Sequence, residues 1–304
     1  MRIGVAATPG VAIPTLEWLS TSTHDLSLVI TRPDKPAGRG RTLKESLVGQ
    51  WAATHHIECV KPIASQELFE SLAFIDLVVT IGYGVILPVE ILPVPRYGFI
   101  NLHFSLLPAW RGAAPVQRAI QNGDERLGIT VFALDAGMDT GPIYVQRELP
   151  RNPYVNAGEV LEAMATLGPG AIAETLSLIE SGFSPIPQSM SGVSYAPKIS
   201  KEDARIQWDR NAIDIDRQVR AFTPDPGTWT TFRNSNLRID RARPFISAKK
   251  CEPGVIDVNN GDLVVSCADG SQLFIEEVTP SGKKTMSGRS WLNGARITGG
   301  EKFV

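Results

Sequence analysis

Three residues, Asn101, His103 and Asp139, are the strongest candidates for chemistry in this chain. Asn101 and His103 stand two apart in NLHFSLLPAWRGAAP (101–115), at the end of the run YGFINLHFS (97–105). If that run is a strand, both side chains point to one face. Asp139 lies in the glycine-rich turn LDAGMDTGPI (134–143), between two further apolar runs. An amide can donate to a developing oxyanion, and an imidazole beside a carboxylate can manage protons. That set suits acyl transfer, phosphoryl transfer or proton transfer, and the spacing leaves the choice open. Each residue also has an ordinary reading: a lone histidine is commonly a hydrogen-bonded structural residue, and an Asp before Thr-Gly commonly forms a turn.

The elements that must position these residues are legible from periodicity. RIGVAAT (2–8), LSLVIT (26–31), LVVTIGYG (77–84) and YGFINLHFS (97–105) read as buried strands. Helical patterns fill the gaps, at 14–20 and 115–122 for example. Strands alternating with helices imply an α/β, doubly wound, mostly parallel sheet, whose sites lie at strand ends. GITVFAL (128–134) and PIYVQREL (142–149) read as a late hairpin or paired strands. Residues 156–181 read as one long helix with Asn156 as cap and Gly182 as stop. The first strand-to-helix turn, GVAATPG (4–10), is not GxGxxG, and there is no P-loop. Both facts argue against a dinucleotide or ATP.

Residues 182–205 are rich in Pro, Ser and Gly and read as an extended linker. Beyond them come one helix, at 212–221, and short β-like runs separated by Gly and Asn turns. Those runs suggest a small all-β barrel. The expected domains are therefore 1–181, a linker at 182–205, and 206–304. Net charge is −2, divided as −5 over residues 1–204 and +3 over residues 205–304. The mild basic excess permits a polyanionic partner for the second part. Cys59, Cys251 and Cys267 form no CxxC pair and no disulfide framework, so a reducing, cytoplasmic setting is expected. No His/Cys cluster has metal-ligand spacing, no metal is expected, and no stretch has the length of a membrane span.

The segment after the second strand, TRPDKPAGRGRTLK (31–44), carries Arg32, Lys35, Arg39, Arg41 and Lys44 against Asp34 alone. Pro33, Pro36, Gly38 and Gly40 are expected to keep it from forming helix or strand. A flexible basic loop beside a site suits a phosphate backbone, and the plain alternative is a solvated surface loop.

Residues 101–115 and 134–143 resemble the core of the folate-dependent formyltransferases, with their Asn-x-His pair, Ser-Leu-Leu-Pro turn and later Asp. Residues 31–44, SYAPKISKEDARIQW (194–208), VRAFTPDPGTW (219–229) and GKKTMSGRSWLNGAR (282–296) are similar to the branch of that family acting on methionyl-tRNA. The likeness runs nearly end to end. It departs at Phe104, where the family pattern has Gly, which is expected to crowd the turn, and at 246–254. The resemblance implies formyl transfer from 10-formyltetrahydrofolate to initiator methionyl-tRNA, and a C-terminal barrel of the oligonucleotide-binding type. It implies Asn101 as oxyanion donor, His103 as proton acceptor or orienter, and Asp139 as organiser of His103. Ser105, Leu106, Leu107 and Pro108 are expected to line a folate pocket. Ile81, Gly82, Tyr83 and Gly84 form its opposite wall, because glycines flanking Tyr83 let backbone amides approach a flat polar ring. A monomer is expected. The alternatives are a formyltransferase acting on a sugar or purine amine, and a non-enzymatic RNA-binding protein on the same fold.

Overall fold

The structure, a computed structural model, describes residues 1–37, 42–150, 152–245 and 252–304. In chain order the elements are β1 (Arg2–Ala7), α1 (Ile13–Thr21), β2 (Asp25–Ile30), β3 (Lys35–Ala37), β4 (Thr42–Lys44), α2 (Leu47–Thr54), β5 (Cys59–Val60), α3 (Ser65–Ser71), β6 (Leu77–Ile81), β7 (Phe99–His103), β8 (Arg111–Gly112), α4 (Pro115–Asn122), β9 (Leu127–Ala133), β10 (Ile143–Leu149), α5 (Ala157–Glu180) and β11 (Tyr195–Ala196). They continue with α6 (Ala212–Phe222), β12 (Thr228–Phe232), β13 (Ser235–Phe245), β14 (Ile256–Asn259), β15 (Asp262–Ser266), β16 (Gln272–Pro280), β17 (Met286–Ser287) and α7 (Gly288–Ala295).

The chain divides into two compact units: Met1–Pro115 with Arg126–Arg151 and Leu161–Ala196, and Val116–Glu125 with Asn152–Val160 and Pro197–Val304. Unit 1 is built on a seven-stranded sheet in the order β10-β9-β7-β6-β1-β2-β5. From β7 to β5 the strands are parallel, while β9 and β10 run antiparallel at the other edge. All five residues of β6 are buried, as are five of the six in β1. Unbroken apolar runs of this kind belong to strands covered on both faces. The chain steps from β1 outward to β2 and β5, then returns to the other side of β1 as β6 and β7. That reversal opens a crevice at the carboxyl ends of β1 and β6, where open α/β sheets place ligands. Helix α5 lies close to the sheet: a Cβ at Gly168 would come within 2.7 Å of the Thr15 hydroxyl and 3.0 Å of Leu102. Among the described residues, no helix is long and apolar enough to cross a membrane.

Unit 2 is an all-β sheet in the order β12-β13-β16-β15-β14, with β17 beside β16. The chain's last residues bridge its two edges. Thr231 and Val304 exchange backbone hydrogen bonds of 2.9 and 3.0 Å, while the Ile256 N–H donates to Glu301 and the Phe303 N–H donates to Gly254. The sheet thus closes on itself around a core of Ile215, Val219, Ile239, Leu263, Leu273 and Ile275. Closure removes the edges that would otherwise leave unpaired donors and acceptors. Phe303 is the hub of the closure, 5.6 Å from the Trp208 ring, 5.5 Å from Trp291 and 5.9 Å from Phe232. Gly254, at φ +84°, is needed beside it, since a Cβ there would sit 2.6 Å from the Phe303 carbonyl oxygen.

Two short segments from earlier in the chain belong to unit 2. Arg118 on α4 pairs with Asp203 at 3.2 Å, and Gly123 leaves room for the Arg217 guanidinium. The α5 start is fixed by a reciprocal cap in which Glu159 N–H donates to Asn156 Oδ1 and Asn156 N–H donates to Glu159 Oε2. Its next glycine, Gly158, donates to the Thr223 carbonyl.

Phe303 is 2 % exposed, so Phe303→Ala removes a fully packed ring. The expected cost is about 3–5 kcal/mol, the range for emptying such a site. Denaturant unfolding followed by tryptophan fluorescence should show it in the transition of unit 2. A loss below about 1 kcal/mol would mean that the tail is laid on the surface and is not part of the core.

Candidate active site

Strand β7 carries Asn101 and His103 at its carboxyl end. Asn101 lies opposite Thr80 of β6 and Phe132 of β9, and His103 lies opposite Thr130. Asn101 is half-buried, and among the described residues its side-chain amide has no hydrogen-bond partner. His103 is buried, with its ring edge-on to Phe132 at 6.3 Å. Its Nε2 is 3.0 Å from the Trp110 carbonyl oxygen. A carbonyl only accepts, so the hydrogen of the neutral ring is assigned to Nε2. Nδ1 then keeps its lone pair and faces Asp139 Oδ2 at 3.8 Å. That gap exceeds hydrogen-bond length yet is well within electrostatic reach. Burial pushes His103 below its ordinary value, while the Asp139 carboxylate and the Trp110 carbonyl pull it back up. Withdrawal from water is the larger effect, so the ring is a neutral base at neutral pH.

Asp139 is held from several sides. Its backbone is left-handed, with φ +53°. Its Oδ2 accepts the Gly112 N–H at 2.7 Å. Its own carbonyl accepts from Gln188 Nε2 at 2.9 Å, and the same nitrogen donates to the Gly141 carbonyl at 2.8 Å. Gln188 Oε1 in turn accepts from Arg111 Nη2 at 2.7 Å and Nε at 3.3 Å. Gly112, at φ +124°, has no room for a side chain, because a Cβ would lie 2.7 Å from the Ala196 oxygen. The stretch around 186–196, within the expected extended linker at 182–205, is docked: β11 pairs with β8, Ile186 pairs with Ile143, and Ser194 accepts from the Trp110 and Arg111 amides. Arg111 and Gly112 stand within the 101–115 motif, but Gln188 carries no periodicity or motif that marks it in the sequence.

The Ser-Leu-Leu-Pro turn and the 81–84 loop leave the carboxyl ends of neighbouring strands β7 and β6. The Ser105 hydroxyl donates to the Ala109 carbonyl at 2.6 Å, and the Thr130 hydroxyl ties the Ser105 carbonyl to the Leu107 amide. Gln146 donates to the Leu107 carbonyl. Four of the expected lining residues are turned inward. Ser105 and Leu107 are held by these bonds and by burial, Ile81 is wholly enclosed, and Tyr83 packs among Ala6, Leu28 and Ile30. Surface remains at Gly82, Gly84, Leu106 and Pro108. Gly82 and Gly84 have φ +55° and +71°, and the Tyr83 carbonyl between them accepts from the Thr8 hydroxyl. Phe104 is buried, at 8 % exposure.

The basic segment differs from expectation in one respect. Lys35–Ala37 and Thr42–Lys44 form the antiparallel pair β3–β4 despite Pro36, with Lys35 directly opposite Lys44. Proline is tolerated on such a solvent-facing edge, where its missing N–H costs nothing. Arg39 and Arg41 lie outside the described residues. At the base of the hairpin, Lys61 Nζ bonds to both Asp34 at 2.7 Å and Glu45 at 2.8 Å. Those two carboxylates are thereby occupied, and among the described residues Arg32, Lys35 and Lys44 have no carboxylate partner. With Thr8, Pro33 and Ser46 these three cations line a cavity of about 160 Å³. Arg32 also reaches toward the loop, its Nη1 lying 3.3 Å from where a Cβ on Gly84 would stand. Among the described residues, no group of three or more His, Cys, Asp or Glu is placed to hold a metal.

Two family models match the chain, the formyl transferase model over residues 2–176 and the formyl transferase C-terminal domain model over residues 198–296. The methionyl-tRNA formyltransferase of Salinispora tropica is 42 % identical over 306 aligned positions that cover 99 % of each chain. Among solved structures, the methionyl-tRNA formyltransferase of Clostridium thermocellum is similar with a TM-score of 0.59 at 16 % identity, over 88 % of this chain and 97 % of that one. An N-formyltransferase of Helicobacter canadensis, in complex with folinic acid and dTDP-3-aminofucose, is similar with a TM-score of 0.68 at 19 % identity, over 90 % and 98 %.

The balance of forces on His103 can be read directly. Its imidazole should titrate below the ordinary value near 6.5, so the neutral base is present at neutral pH and is lost as pH falls through that lowered value. Asp139→Asn removes the one neighbouring charge that raises it, and the midpoint should fall further. Histidine ring NMR across pH 4–8 measures both. A midpoint at or above 6.5, or an upward move in the variant, would show that the carboxylate and not burial governs the ring.

Proposed function

The chain belongs to the methionyl-tRNA formyltransferase family, and from that premise we propose that it moves a formyl group from 10-formyltetrahydrofolate to the amino group of methionine on the initiator tRNA. The observation that carries this reading is the 42 % identity sustained over 99 % of both chains, which takes in both units. The structural likeness to an amino-sugar enzyme is one of fold at 19 % identity, and does not favour that acceptor. The intact trio Asn101, His103 and Asp139 speaks against a purely binding role.

The folate supplies a formyl group on nitrogen-10. Gly82 and Gly84 would hold its ring with bare backbone, and Leu106 and Pro108 would add apolar surface, a mixture usual in cofactor pockets. The unpartnered Asn101 amide would donate to the formyl oxygen as negative charge builds on it. His103 Nδ1, the free nitrogen of a neutral ring, would take the proton released by the attacking amine. The Asp139 carboxylate, 3.8 Å away, would stabilise the resulting imidazolium until the proton passes to the departing folate nitrogen. Ile81, Tyr83, Ser105 and Leu107 would hold this arrangement from behind.

Arg32, Lys35, Arg39, Arg41 and Lys44 would meet the phosphates near the acceptor end, and the mildly basic C-terminal stretch from residue 206 would add non-specific affinity. Catalysis would then rest on residues 1–181 with support from the docked part of 182–205, and tRNA affinity on 206–304. The protein would act as a monomer in the reducing cytoplasm, where initiator tRNA is charged.

Formylation of charged initiator tRNA, followed by acid-gel or mass analysis, tests the reading. The parent should transfer the formyl group and Asn101→Ala should lose about 10²-fold or more in kcat. A near-normal rate would remove Asn101 as oxyanion donor. Arg39→Ala with Arg41→Ala should slow formylation and flatten the log-affinity against log-salt slope by about one to two units. Parent-like kinetics and slope would make the hairpin an ordinary solvated surface.

A further inference from the structure

We infer that Gln188 is a positioning residue for the reaction, supplied by the docked connector to fix the Asp139 carboxylate opposite His103. The inference rests on the reading that His103 and Asp139 do the proton chemistry. The turn carrying Asp139 needs outside support. Asp139 is left-handed at φ +53°, a conformation L side chains rarely adopt. Its neighbour Met138 is 59 % exposed, so no packing pins the turn from that side. Asp135 organises the other end, accepting from the Gly137 amide and the Thr140 hydroxyl, but neither bond reaches Asp139.

Gln188 does reach it. One amide nitrogen spans the carbonyls of Asp139 and Gly141 at 2.9 and 2.8 Å, gripping the backbone on both sides of Thr140. The amide oxygen is then directed at Arg111. Arg111 is 8 % exposed and adjoins Gly112, whose N–H holds the Asp139 carboxylate. The three residues therefore form a closed bracket. Gln188 fixes the Asp139 backbone and Arg111, and the residue after Arg111 fixes the Asp139 side chain.

The bracket explains why this position is an amide. It must donate twice to carbonyls and accept from a cation, and among uncharged side chains only Asn and Gln do both. Asn is one methylene shorter. A glutamate keeps the acceptor for Arg111 but, ionised, offers no donor and repels the two carbonyls. A leucine keeps much of the volume and loses every bond.

Purified full-length Gln188→Leu and Gln188→Glu are the test, with folding checked by thermal unfolding and folate binding by fluorescence. Gln188→Leu should lower kcat by about tenfold or more while the KM values for folate and tRNA stay within about twofold, since only groups acting in the transition state are displaced. Its acid limb in the kcat/KM pH profile should move to lower pH, as in Asp139→Asn, because the carboxylate that raises His103 has drifted. Combined with Asp139→Asn, it should add little further loss, as residues acting in one unit are non-additive. Gln188→Glu should resemble Gln188→Leu despite keeping Arg111. Parent-like kcat in either folded variant, an unmoved acid limb, or full additivity with Asp139→Asn would each overturn the inference. If His103→Ala and Asp139→Asn themselves kept parent rates, the functional reading would fail first, and the experiment would show which had failed.

Discussion

An imidazole taken out of water gives up its charge, and the end of β7 is organised around that fact. His103 lies buried on β7 between β6 and the antiparallel β9, edge-on to Phe132, and its one firm hydrogen bond goes to a backbone carbonyl that can only accept. Both conditions leave a neutral ring with Nδ1 free. The compensating charge, Asp139, is kept at 3.8 Å, close enough to favour an imidazolium when one forms. It is too far to make a direct bond that would occupy the free nitrogen beforehand. Keeping that separation is a demand on backbone geometry, and it accounts for the glycine at 112, the left-handed residue at 139 and the bonds that converge on both.

Much of this could be read before any coordinates. The two-residue spacing of Asn101 and His103 at the end of an apolar run required a shared face, and a parallel sheet required that face to meet the crevice. Asp139 announced itself by its glycine-rich turn. Gln188 did not, because its significance lies in contacts 47–77 residues away in sequence and its own surroundings, GFSPIPQSMSG, look like any polar connector. The residues named for a folate wall show the same limit. Sequence identifies the segment that borders a pocket, but which side chains face inward depends on partners such as Thr130, which no local pattern reveals.

The hairpin shows how local rules yield to tertiary context. Two prolines and two glycines in fourteen residues argued for irregular backbone, yet three residue pairs form a ladder. Lys61, arriving from β5, gathers the acidic residues on both flanks and closes the base. The opposed pair Lys35 and Lys44 is an electrostatic cost in the free protein, where like charges stand face to face.

The bracket around Asp139 also bears on how the protein comes into being. A chain leaves the ribosome N-terminus first at about 5–20 residues per second. The strands that seat His103 and the turn that carries Asp139 are therefore made seconds before Gln188 and β11 exist to brace them. Until the stretch to Ala196 has emerged, the Asp139 carboxylate can meet the Gly112 amide but the backbone that carries it lacks its brace. Every strand of the seven-stranded sheet is thus made before the stretch that completes the bracket around Asp139.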